Sequence, residues 1–139
     1  MAPERGANAD PTAEAANLVE ELEALIAAGR EPSHIKVVGA SKGAFIAQLA
    51  SGQIANPQIR WVLVGGCHFP RMAEGNPPQM TGNVLSIYDT SDTIAGPCRP
   101  HPDLFQRASR FEEVAISTGL DHGFQFTVQE AWVAPALDW

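Results

Sequence analysis

The chain has 139 residues, of which 45% are hydrophobic and 18% are charged, so it is long enough for one domain with a buried core. Its formal net charge of −7 argues against the clustered basic surface that nucleic-acid binding requires, and no apolar run approaches the ~20 residues of a membrane span. No apolar signal segment is visible at the start. The sequence as written therefore predicts a cytoplasmic protein, or a periplasmic or secreted one if its N-terminus is truncated.

The first element predicted along the chain is a helix over residues 11–29. Asp10 is a favoured N-cap residue, and Pro11 suits the first helical position. Gly29 suits the end of a helix. We expect residues 1–9 to be a flexible lead-in and residues 10–139 to form a single domain.

Four short, nearly all-apolar runs predict strands: from Ile35 to Val38, then over residues 61–64, 84–88 and 113–116. Helical patterns are seen over residues 44–51, 103–110 and 129–139, with Thr127 and Glu130 as a capping box for the last. The Gly- and Pro-rich residues 69–83 predict a loop. This alternation predicts an α/β fold in three layers, with about four parallel strands between helices.

The pentapeptide Gly39-Ala40-Ser41-Lys42-Gly43 lies between the first strand and the helix that follows it. In this strand–turn–helix context, Gly-x-Ser-x-Gly places its serine on a sharp turn with the hydroxyl exposed. We expect Gly39 and Gly43 to leave space where the two backbones approach too closely for a Cβ. Ser41 is therefore the candidate nucleophile.

Reactive side chains also follow the third and fourth predicted strands, at the sheet edge where parallel α/β proteins place their sites. Asp89 and Asp92 follow the third strand, and His122 follows the fourth. A serine hydroxyl needs an imidazole to take its proton and a carboxylate to orient that imidazole. Asp92 is favoured as the acid because it lies further into the loop, whereas Asp89 directly after the strand is typical of a turn. His34 precedes a strand and is expected at the opposite edge.

The chain resembles the α/β-hydrolase family in three places: the run from Val38 to Gly43, the acid loop ending Asp92-Thr93-Ile94, and the pair His122-Gly123. The resemblance extends from about residue 10 to the C-terminus. It is similar to the second half of that fold, as found in small bacterial serine esterases. It implies Ser41 as nucleophile, His122 as general base and acid, Asp92 as its orienting partner, and no cofactor.

The resemblance also implies about eight strands, with the nucleophile after the fifth. Here Ser41 follows the first of four predicted strands, so we expect a minimal or truncated form of the fold. The backbone N–H of Lys42 would be one oxyanion donor, and the family's other donor comes from the early half. Losing one such donor typically lowers the rate ~10²–10³-fold.

Cys67 and Cys98 follow neighbouring strands, which makes a disulfide geometrically reasonable. The alternative is a pair of reduced thiols, as is usual in the cytosol. His68 and His101 complete two metal-capable doublets, but their spacing matches no recognised zinc pattern, and no metal is predicted.

The sequence therefore predicts a serine esterase that cleaves small, short-chain carboxylic esters through an acyl-enzyme. The alternative is a non-catalytic half-domain that needs a partner chain to complete the fold. Besides a small ester, the expected partner is a second copy of the chain, in a homodimer or higher oligomer. It would pair along the strand from Ile35 to Val38, which lacks a neighbour on one side. No nucleic acid or membrane partner is expected.

Overall fold

The structure is a computed structural model that describes residues 8–68 and 78–139. Its helices and strands follow in chain order: α1 Pro11–Ala27, β1 Lys36–Ala40, α2 Lys42–Ile54, β2 Arg60–Val64, β3 Cys67–His68, β4 Gly82–Asp89, β5 Ala95–Gly96, β6 Ala108–Ile116 and α3 Glu130–Asp138. Short 3-10 turns cover Pro32–His34, Pro102–Phe105 and Asp121–Phe126.

Four strands form a parallel sheet in the order β1-β2-β4-β6, and β3 pairs with β5 in a separate antiparallel ribbon. The predicted four-stranded α/β architecture is confirmed. The carboxyl ends of β1, β4 and β6 lie at one edge of the sheet, and the predicted site residues follow these ends.

Helices cover both faces of the sheet. On one face, α1 and α2 pack on a core that includes Ile35, Trp61 and Leu63. On the other, Ala136 of α3 and Phe124 pack on a core from β2 and β4 that includes Val62. Because both faces are covered, β2 can be almost wholly apolar.

The first helix begins as its sequence predicts. The Asp10 carboxylate accepts a hydrogen bond from the Thr12 N–H at 3.2 Å, and Pro11 is the first helical residue. The helix ends at Ala27, and Gly29 follows with a φ of +95° that suits glycine.

The predicted helix over residues 103–110 is wrong. A single 3-10 turn ends at Phe105, and Ala108 and Arg110 already pair with β4 in the sheet. This stretch has weak local periodicity, and pairing with β4 decides its conformation. Of the predicted loop over residues 69–83, residues 69–77 lie outside the described residues, and β4 already begins at Gly82.

The predicted capping box of the last helix is also wrong. The N-cap residue of α3 is Gln129, whose side chain makes no capping hydrogen bond. Glu130 is therefore the first helical residue rather than the third, and it cannot reach back as a capping box requires. Thr127 instead accepts a hydrogen bond from Trp132 Nε1 through its carbonyl.

Strand β1 lies at the edge of the described sheet. Ile35 and Ser41 direct backbone hydrogen bonds toward β2. Because strand residues alternate in direction, the backbone groups of Lys36, Val38 and Ala40 point to the open side. Val38 is 52% exposed on this open side of the strand. None of the helices in residues 8–68 and 78–139 has the length and hydrophobicity of a membrane-spanning segment.

Candidate active site

Ser41 is the single residue between the end of β1 and the start of α2. Its φ of 51° lies in a region that residues other than glycine rarely adopt. The Ser41 N–H donates to the Val64 carbonyl at 3.0 Å, and the Ser41 carbonyl accepts from the Ala44 N–H at 3.0 Å. These bonds hold the strained turn that the Gly-x-Ser-x-Gly sequence predicts.

The two glycines of this turn have different roles. A Cβ on Gly39 would lie 2.4 Å from the Gly43 carbonyl oxygen, so the expected close approach is confirmed there. A Cβ on Gly43 would meet no atom within 4 Å, so the same expectation is wrong for Gly43. The strand contributes the residue that must lack a side chain.

The fold brings Ser41, Asp92 and His122 together from three loops. Ser41 Oγ lies 2.8 Å from His122 Nε2, and His122 Nδ1 lies 2.7 Å from Asp92 Oδ2. The Asp92 side chain is fully buried, and that of His122 is 15% exposed. With the ring proton on Nδ1, the imidazole donates to Asp92, and its Nε2 accepts from the serine hydroxyl.

The carboxylate of Asp92 is fixed on its other side as well. Its Oδ1 accepts hydrogen bonds from the backbone N–H groups of Ile94 and Ala95, at 2.8 and 2.9 Å. Asp89, the other acidic candidate, bonds Ser91 and Thr118 instead. Of the two candidate acids, Asp92 is therefore the one that contacts the His122 imidazole.

Sequence reasoning missed Gly65, which follows β2 and lies against the histidine–aspartate pair. Its φ is +58°, and a Cβ there would lie 3.3 Å from His122 Cε1 and 3.6 Å from Asp92 Oδ2. The Gly65-Gly66 pair directly after a buried strand was the available signal. Gln125, also missed, is 8% exposed and donates from Nε2 to the His122 carbonyl at 3.0 Å.

The serine and histidine open into a cleft of about 300 Å³. It is lined by Ser41, Lys42, Phe45, Gly65, Gly66, His68, Ile94 and His122. Lys42 is the first residue of α2, so its backbone lies at the positive end of the helix dipole. A second cavity, of about 370 Å³, lies at the end of α1 and includes the exposed His34.

The structure places the sulfur atoms of Cys67 and Cys98 at 1.96 Å, a bonding distance. Cys67 lies in β3 opposite Gly96 of β5, so this contact joins the chain after β2 to the chain after the acid loop. His68, next to Cys67, reaches the cleft. Within residues 8–68 and 78–139, no cluster of three or more His, Cys, Asp or Glu side chains could hold a metal ion.

No protein-family model matches the sequence, and no curated protein matches it. Solved structures do. An alpha-beta serine hydrolase homologue from Coxiella burnetii is 17% identical with a TM-score of 0.66, over 99% of this chain and 62% of that one. SOBER1 from Arabidopsis thaliana is 16% identical with a TM-score of 0.63, over 92% of this chain and 66% of that one. This chain thus spans less than two thirds of either structure. At these identities the likeness establishes the fold, and we conclude that the chain has an α/β-hydrolase-like fold.

Proposed function

We propose that this chain is a serine hydrolase that cleaves small, short-chain carboxylic esters. The observation that carries the proposal is the unbroken line of hydrogen bonds from Ser41 Oγ through His122 to Asp92, with Ser41 and His122 open to a cleft. A strained turn, a buried carboxylate and an imidazole between them are the parts that activate a serine hydroxyl.

In the proposed reaction, Ser41 Oγ attacks the ester carbonyl carbon while His122 Nε2 takes the hydroxyl proton. Asp92 stabilises the imidazolium that forms. The carbonyl oxygen becomes an oxyanion beside the Lys42 N–H, at the start of α2. His122 then gives its proton to the departing alcohol, which leaves an acyl-enzyme. Water then attacks the acyl carbon while His122 takes one of its protons. As the bond from that carbon to Ser41 Oγ breaks, His122 returns the proton to Oγ, which releases the acid and restores the serine hydroxyl.

The size and lining of the cleft support a small substrate. Its volume of about 300 Å³ is at the lower end for small-molecule sites. Phe45 and Ile94 give it apolar lining beside Ser41. A short acyl chain can bury against these two side chains, at ~0.8 kcal/mol for each buried CH₂. We therefore expect acetyl and butyryl esters to be better substrates than long-chain esters.

The alternative function is a non-catalytic half-domain that completes its fold with a partner chain. The open backbone groups of β1 and the exposed Val38 favour this alternative. The two functions differ in what they require of Ser41. Only the hydrolase needs its hydroxyl to react.

The test is hydrolysis of p-nitrophenyl esters of increasing chain length. Turnover should fall to background in Ser41→Ala and His122→Ala, and steeply in Asp92→Asn. The matched control is His34→Gln, which changes an exposed histidine at the other end of β1 and should keep wild-type rates. Wild-type turnover in purified Ser41→Ala would contradict the proposal.

A further inference from the structure

Two carboxylates that are not part of the Ser41–His122–Asp92 line connect the two loops that carry Asp92 and His122. We call residues 89–95 the acid loop and residues 117–122 the histidine loop. Asp89 begins the acid loop at the end of β4, and Asp121 directly precedes His122. Each carboxylate accepts hydrogen bonds that join one loop to the other.

Asp89 is 1% exposed, and both of its carboxylate oxygens are bonded. Its Oδ1 accepts from the Ser91 N–H at 2.8 Å and from Ser91 Oγ at 2.7 Å. Its Oδ2 accepts from the Thr118 N–H at 2.8 Å and from Thr118 Oγ1. One buried side chain thus binds a residue of each loop.

Asp121 makes the reciprocal connection from the histidine loop. Its Oδ1 accepts from the Thr93 N–H at 2.7 Å and from the His122 N–H at 2.8 Å, and the Thr93 hydroxyl donates to the same oxygen at 2.9 Å. The φ of Asp121 is 53°, a conformation that these bonds help to hold immediately before His122.

Ser91 links the two carboxylates into one network. Its hydroxyl donates to Asp89 Oδ1 at 2.7 Å and accepts from the Asp121 N–H at 3.0 Å. The bonds therefore run from β4 through Asp89, Ser91 and Asp121 to the backbone of His122. The contact between Asp92 and His122 joins the same two loops that this network connects.

We propose that Asp89 and Asp121 are positioning residues, which hold the acid loop and the histidine loop at the one spacing where Asp92 meets His122. The inference rests on the proposed hydrolase function. In this proposal Asp89 is neither a second catalytic acid nor a residue that only stabilises its own turn, because it also holds Thr118 of the histidine loop. Neither carboxylate needs to touch the substrate.

We expect a large effect on kcat because the hydrogen bonds from His122 to Ser41 and Asp92 are 2.8 and 2.7 Å long, and a small shift of either loop would break them. A misplacement of about 1 Å can cost ~10²-fold in rate. We therefore expect Asp89→Asn and Asp121→Ala each to lower kcat by about 10- to 100-fold while KM changes little. An amide at residue 89 can still accept from Ser91, but its NH₂ group cannot accept from the Thr118 N–H.

Two readouts separate positioning from a general loss of stability. The first is the strongly downfield proton resonance of the His122 Nδ1–H bond to Asp92, measured by NMR without substrate. It should weaken or disappear in both variants. The second is the acid limb of the pH profile of kcat/KM, which should move to lower pH when the carboxylate no longer stabilises the imidazolium.

Matched variants act on the same loops. Ser117→Ala removes an exposed hydroxyl bond between Thr90 and Ser117, which also joins the two loops but does not lead to His122. It should keep the wild-type rate and resonance. Asp121→Asn retains an acceptor oxygen and should recover part of the rate that Asp121→Ala loses. Ser91→Ala removes the linking hydroxyl and tests the network if Asp89→Asn does not fold.

The outcomes are distinguishable from failure of the proposed function. If wild-type protein is not labelled by a fluorophosphonate, the hydrolase proposal fails, and the NMR resonance still tests the positioning of His122. An unchanged resonance and pH profile in folded Ser91→Ala and Asp121→Ala would overturn the positioning role. Loss of rate in Ser117→Ala equal to that in Asp121→Ala would overturn it too.

Discussion

Replacing Gly39 by alanine tests whether the close approach of β1 and α2 positions Ser41. The new Cβ would lie 2.4 Å from the Gly43 carbonyl oxygen and 2.8 Å from the Ala44 nitrogen. These are backbone atoms and cannot rotate away. Since a Cβ is essentially never found closer than 3.0 Å to a non-bonded heavy atom, the turn between β1 and α2 must open by about 0.6 Å.

Ser41 lies between the two backbones that are forced apart, and its Oγ starts 2.8 Å from His122 Nε2. A shift of this size would weaken or break that hydrogen bond. We expect kcat of Gly39→Ala to fall by about 10- to 100-fold. The free energy of unfolding should fall by about 1–3 kcal/mol, as overpacking of a close contact costs.

The control is Gly43→Ala, four residues away in the same motif. Its Cβ would enter open space, and alanine in a helix is favoured over glycine by about 0.5–1 kcal/mol. It should be as stable as wild type or more so, with near wild-type turnover. Urea denaturation and p-nitrophenyl acetate hydrolysis measure both quantities. Wild-type activity in Gly39→Ala, or equal losses in the two variants, would refute the reasoning.

Three other predictions concern redox state, acid stability and assembly. Protein made under oxidising conditions should show no free thiol on alkylation, and two alkylated cysteines in unreduced, denatured protein would reject the disulfide. Reducing the disulfide between Cys67 and Cys98 should lower the free energy of unfolding by about 3–4 kcal/mol. Burial alone would raise the pKa of Asp89, but the hydrogen bonds from Thr118 and Ser91 lower it to about 2. The carboxylate therefore contributes about 2 kcal/mol to the free energy of unfolding at neutral pH, and this contribution should be lost as the pH falls from about 4 to 2. The urea midpoint should fall less across that pH range in Asp89→Asn than in the wild type. An equal decrease in the two proteins would contradict this role of Asp89 in acid stability. Light scattering should report a homodimer or larger, and Val38→Pro should weaken it; a stable monomer near 14.8 kDa would contradict pairing along β1.

The residues of the candidate site could be predicted from short sequence patterns. The apolar strand before Ser41, the glycine at residue 39 and the order of Asp92 and His122 after later strands all predicted positions that the structure brings together. Such signals work because strand ends in a parallel sheet must meet at one edge.

Other features depend on contacts between segments that are distant in the sequence. Ala108 and Arg110 are strand residues only because β4 lies beside them, and no local pattern records that pairing. The networks of Asp89 and Asp121 join residues 28 and 29 positions apart, so they depend on how two loops fold against each other. Gly65 is similar, since its importance comes from its distance to His122.

The most direct test of Ser41 as an activated nucleophile is labelling of the intact protein with a fluorophosphonate, followed by mass measurement and mapping of the modified peptide. An activated serine reacts covalently, whereas an ordinary turn serine does not. We predict one adduct per chain on Ser41, absent in Ser41→Ala and strongly reduced in His122→Ala. Folded wild-type protein that takes up no label, or that takes it up on another residue, would contradict the account.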